Sequence, residues 1–96
     1  MYLIEKTDSF DKWILKLKDY RAKAKILTKL KMMELGNLGD HKSVGFGVSE
    51  IRIDYGPGYR LYYGKLGTSI ILSLVGGVKS SQSKDILKAQ RLLENY

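Results

Sequence analysis

VSEIRIDYGPGYRLYYGKLGTSIILSLVGG, residues 48–77, is the stretch that decides the fold. Val48, Glu50 and Arg52 interleave with Ser49, Ile51 and Ile53 at period two, the mark of a strand with two different faces. Asp54-Tyr55-Gly56-Pro57-Gly58 reads as a tight turn, because proline presets one backbone angle and glycine supplies the conformations other residues resist. Tyr59 to Tyr63 form a second strand, Gly64 to Gly67 turn it, and Thr68 to Val75 form a third, which Gly76-Gly77 breaks. Three strands joined by such short connections make an antiparallel meander.

Outward from the meander the periodicity changes. GNLGDHKSVGFG, residues 36–47, is glycine-rich and aperiodic and reads as a loop. Before it, Ala22, Ile26, Leu30 and Met33 make the buried stripe of a helix that Asp19 can cap and Gly36 can end. Earlier still, Phe10, Trp13, Ile14 and Leu17 stand at i, i+3, i+4 and i+7, with Thr7, Asp8 and Ser9 offering cap oxygens. The two helices are separated by so few residues that they should form a hairpin. Tyr2-Leu3-Ile4 reads as a first strand. After Gly77, Ser80 or Ser81 can start a last helix with Ile86, Ala89 and Leu93 facing inward.

The expected fold is one α+β domain over residues 1–96, ordered β-α-α-β-β-β-α, with an N-terminal helical hairpin packed on a small antiparallel sheet. The hairpin must cover one sheet face, since a solitary meander leaves its apolar side wet. The other face is expected to carry arginine and lysine and stand open to a ligand.

Composition narrows the chemistry. The chain has no cysteine, so it has no disulfide framework, thiol nucleophile or thiolate metal site. One histidine argues against most zinc constellations, and neither metal nor cofactor is expected. No apolar run approaches the roughly 18 residues of a spanning helix, and the first residues do not read as a secretion signal, so no membrane and a cytoplasmic site are expected. Seventeen Lys+Arg against ten Asp+Glu give +7, spread along the whole chain rather than gathered in a tail. Such a domain suits a polyanionic partner, a nucleic acid or an acidic protein segment.

The element order, with SEIRIDYGPGYRLYY and GGVKSSQSKDI, resembles the RelE/ParE superfamily of toxins, in particular its HigB-like addiction module killer branch. The resemblance spans Phe10 to the last helix. It implies the toxin of a type II toxin–antitoxin pair: RelE-type members cut messenger RNA in the ribosomal A site, and ParE-type members poison DNA gyrase. It also implies a cognate antitoxin, in HigB-type pairs often a small helix-turn-helix, HigA-like protein. A degenerate toxin that only binds its antitoxin is the remaining alternative.

Metal-independent RNA cleavage needs charge stabilised on the phosphorane, for which fixed cations are suited. By the resemblance, Arg60 matches the family's sheet arginine and is the first candidate phosphate clamp, the alternative being an arginine paired with Glu50 or Asp54. Arg52 matches a sheet base and Lys79 the basic position after the third strand. Glu50 departs from the family, standing where some members carry a second lysine, and Asp85 or Ile86 falls where some carry a tyrosine. His41 is the one side chain with an ordinary pKa near neutrality and the default acid or base. Lys42 and Lys84 are candidate RNA contacts. Tyr62 is a candidate stacking ring, though sheet tyrosines also pack under helices. GFGVSE lacks the third glycine of a dinucleotide fingerprint, and Gly64-Lys65 reads as a hairpin turn, not a phosphate loop.

Overall fold

A computed structural model describes residues 1–96. Its elements are β1 (Leu3–Lys6), α1 (Asp8–Lys16), α2 (Tyr20–Glu34), β2 (His41–Gly45), β3 (Val48–Ile53), β4 (Tyr59–Leu66), β5 (Ile70–Val78), a short 3-10 turn (Lys79–Ser81) and α3 (Gln82–Glu94). The class is α+β, and the meander is there. The sheet around it is larger than the sequence suggested: five strands in the order β1-β5-β4-β3-β2. It is also mixed rather than antiparallel, because β1 runs parallel to β5, Leu3 opposite Ile70.

The helix ends are where the side chains place them. Thr7 Oγ1 accepts from the Phe10 amide at 3.1 Å and donates to the Leu74 carbonyl at 2.6 Å, so one hydroxyl both starts α1 and fastens it to β5. An Asp19 carboxylate oxygen accepts from the amides of Arg21 and Ala22 at 3.0 and 3.2 Å and starts α2. At the other end the amides of Gly36 and Asn37 donate to the carbonyls of Met33 and Met32, both at 2.9 Å. Gly36 has φ +89°, the left-handed conformation such an ending requires.

α1 and α2 share one sheet face. Phe10, Ala22, Ile26, Leu30 and Met33 pack there on Ile51, Ile53, Tyr59, Leu61, Tyr63 and Ile71. The other face is not the open surface expected. α3 lies across it, closing a second core of Val48, Tyr62, Leu72, Leu74, Val75 and Ala89. A register shift between Tyr62 and Tyr63 sets Tyr62 opposite Val75 and Tyr63 opposite Ser73. The extra residue, Leu74, lets Leu74 and Val75 both join the α3 core.

Three local expectations are corrected. The stretch 36–47 contains β2, paired antiparallel to β3 through the turn Gly45-Phe46-Gly47, where all three residues have positive φ. Gly64-Lys65 lies inside β4, and the chain turns at residues 67–69. Gly76-Gly77 lies inside β5 rather than ending it. These two glycines are there for clearance. A Cβ on Gly76 would sit in the Trp13 ring, and one on Gly77 would overlap the Asp85 carboxylate. Gly76→Ala should therefore cost about 1–3 kcal/mol, the usual penalty for overpacking. A lowered urea midpoint, with altered emission from the sole tryptophan, Trp13, is the expected result. An unchanged midpoint would contradict this packing.

Candidate anion-binding cleft

At the end of the sheet where α3 begins, the cross-strand partners Arg52 and Arg60 lie side by side on the α3 face. Like charges in direct opposition are destabilising unless something compensates them. Glu50, two residues before Arg52 on the same face, does so. Its carboxylate is fully buried, lies 3.3 Å from Arg52 Nε and 3.5 Å from Arg60 Nε, and accepts from Gln82 Nε2 at 2.7 Å. Burial pushes the Glu50 carboxyl up, but the bonds from Gln82 and Arg52 and the charge of Arg60 outweigh it, so the group is held below its ordinary range. Beside it the Tyr62 hydroxyl is pushed above its ordinary value, by burial first and then by the Glu50 charge.

The turn before β4 positions the cations. Gly58 has φ +79°, and its carbonyl accepts from Arg60 Nη1 at 3.0 Å. A Cβ there would press at 3.2 Å on Arg60 Nη1 and at 3.3 Å on the Lys79 side chain, so glycine lets both come close. The Lys79 amide is bonded to the Pro57 carbonyl at 3.3 Å, tying the end of β5 to the same turn. Arg60 is almost wholly buried, with a side-chain exposure of 8%, whereas Arg52 keeps 45%. Arg60 Nε is buried 3.5 Å from the Glu50 carboxylate and makes no hydrogen bond within the protein.

Together Arg52, Arg60 and Lys79 line one cleft of about 380 Å³ with Asp40 and Asp54. Neither aspartate lies within 4.0 Å of a cation; the two ion pairs of the molecule both end on Glu50. The cleft thus holds three cations, one of them buried, and two carboxyl groups without an ion-pair partner.

The other candidates lie elsewhere. His41 is exposed on β2 opposite Ile51, with Nδ1 2.9 Å from the Gly39 carbonyl, and does not line the cleft. Its neighbour Asp40 does. Lys42 is exposed opposite Glu50 on the edge strand, and Lys84 is exposed on α3. Tyr62 is fully buried under α3, so it offers no ring face to a base, and the stacking expectation fails there. Asp85 accepts from Ser81 Oγ and is engaged at the start of α3. Sequence reasoning missed Gln82 and Asp40. Gln82 gave no signal, since only the docking of α3 brings it to Glu50; Asp40 sits in a stretch read as loop.

The fold and the cleft define an α+β protein with a cationic, partly neutralised pocket at one sheet end. Over 91 residues the chain is 47% identical to a protein of Haemophilus influenzae described only as uncharacterized, a match covering 95% of this chain and 92% of that one. It belongs to the same family as that protein. No family model matches the chain.

Proposed function

We propose that this protein is the toxin of a type II toxin–antitoxin pair, a RelE/HigB-like endoribonuclease that cuts messenger RNA on the ribosome in the cytoplasm. The observation that carries the reading is the convergence of Arg52, Arg60 and Lys79, which the RelE-like resemblance singles out, in one cleft. In the reaction the ribose 2′-oxygen attacks the neighbouring phosphorus and displaces the 5′-oxygen. One proton leaves the 2′-hydroxyl and one joins the leaving oxygen. The two arginines and Lys79 stabilise the charge gathering on the phosphorane, where fixed cations act most strongly. Asp40 and Asp54 are the carboxyl groups that line the cleft with these cations, and His41 lies outside it. The ribosome orders the substrate, a contribution that can supply much of the barrier reduction. A cognate antitoxin of HigA type neutralises the cleft.

Primer extension on a reporter mRNA after brief induction tests this. Cuts confined to translated frames are expected. A second reading, a non-catalytic ParE-like inhibitor of gyrase, draws support from Glu50, which occupies the Nε edge of both arginines. Growth arrest with intact mRNA and loss of supercoiling by purified gyrase would favour it over cleavage. Intact mRNA with normal growth would leave a degenerate toxin that only binds its antitoxin.

A further inference from the structure

A second groove, of about 440 Å³, runs between α2 and β3 and is lined by Lys25, Thr28 and Lys29 on α2 and by Arg52 and Asp54 at the sheet end. Arg52, Ile53 and Asp54 also line the cleft, so the two depressions adjoin across one residue row. Each helix lysine ends beside a neighbouring segment. Lys25 Nζ lies over the Tyr55 ring, 5.3 Å from its centroid, a cation–π contact that favours the ammonium beside the turn. Lys29 Nζ rests against the backbone of Gly39, close enough that a Cβ there would stand 2.7 Å from it. Neither ammonium has a carboxylate within 4.0 Å. Ala24, Met32 and Ile53 complete the lining, and the two unneutralised cations at its edge are what a second and third phosphate of a strand would meet.

We infer that this groove binds the backbone of single-stranded RNA continuing out of the cleft, with Lys25 and Lys29 contacting phosphates next to the one held by Arg52 and Arg60. The inference rests on the RNA reading of the cleft and extends it from one phosphate to several. It makes affinity depend on the length of the strand, since a short RNA fills the cleft alone and a longer one reaches α2.

The test is fluorescence anisotropy of labelled trimer and decamer oligouridylates with the purified full chain over a range of KCl. For the decamer, Lys25→Gln/Lys29→Gln should weaken binding about tenfold and flatten the logarithmic salt slope by roughly 1.4, the share of two single-strand phosphate contacts. Trimer binding should not change. Lys65→Gln removes an ammonium that also sits over an aromatic ring, that of Tyr2, but far along β4; it should leave both lengths unaffected. Unchanged decamer binding by the double variant, or an equal loss for both lengths, overturns the inference. So does a double variant that keeps the decamer and loses only polyglutamate, which would make the groove a seat for an acidic protein. Arg60→Ala judges the cleft separately: it should weaken both lengths, and if it weakens neither while the lysine pair still matters, the cleft reading falls and the groove remains.

Discussion

Arg60→Ala should lower mRNA cleavage on stalled ribosomes by about 10²–10³-fold, the loss typical when one preorganised donor to a developing negative charge is removed. The size follows from how this arginine is set. Its Nη1 is anchored on the Gly58 carbonyl and its Nε faces Glu50, so the guanidinium is aimed before any substrate arrives and little reorganisation is left for the reaction. Arg52, nearly half exposed and bonded to Glu50, is less constrained, and Arg52→Ala should cost less. Single-turnover cleavage of a ribosome-bound message, read beside a circular dichroism spectrum, separates lost chemistry from lost fold. Full activity in a folded Arg60→Ala protein would remove this residue from the reaction. A lysine at the position keeps the charge without the fork, and should recover only part of the rate.

The placement of Arg60 also shows which features were readable from residues alone. The caps at Thr7 and Asp19 and the Gly36 ending were legible because each rests on contacts within a few positions of sequence, and the stripe of α2 because helical spacing alone puts its apolar residues on one face. The Asp54–Gly58 turn was legible for the same reason, and with it the approach of Arg60 to Arg52. β2 was not. His41, Lys42 and Ser43 are all exposed, so no face is buried to impose alternation, and the strand exists through backbone pairing with β3. Gly76 and Gly77 read as a break because the signal for a breaker and for a close approach is the same residue. What distinguishes them, Trp13 on one face and Asp85 on the other, arrives from 63 and eight residues away in sequence. The covering of the second face by α3 had no local sign either, and it changed the site most. It buried Tyr62, brought Gln82 to Glu50 and turned an expected open basic face into a cleft confined to one end of the sheet. The alternative that Arg60 is paired with Glu50 or Asp54 was open from the residues, and of the two Glu50 is the partner found, at 3.5 Å.

Glu50→Ala should destabilise the protein by about 3 kcal/mol, near the lower end of what breaking a buried ion pair costs, because the cleft keeps water on one side of the arginines. The carboxylate is the sole anion within 4.0 Å of either one, so its removal leaves two cations in cross-strand opposition and one of them almost wholly buried. Gln82 would also lose its acceptor. The pH dependence follows from the direction of the shift. The folded-state pKa of Glu50 is below its ordinary 4.5, so the stabilisation is present above that value and is lost as the pH falls through the folded one. Glu50→Gln mimics the protonated side chain in shape. Its deficit relative to the natural protein should be largest at neutral pH and shrink as acid protonates Glu50 in the latter. Asp19 shares the downward shift, held chiefly by the Ala22 amide, and adds its own acid sensitivity to both proteins alike. The difference between the two urea curves across pH therefore isolates Glu50. A constant difference from pH 7 to pH 3 would mean that the charge of Glu50 contributes nothing and that its role is packing. Equal stability at pH 7 would mean that the arginines are content without it. The cleft would then be held open by the turn at Gly58, and the Nε edges of both arginines would be available to a phosphate.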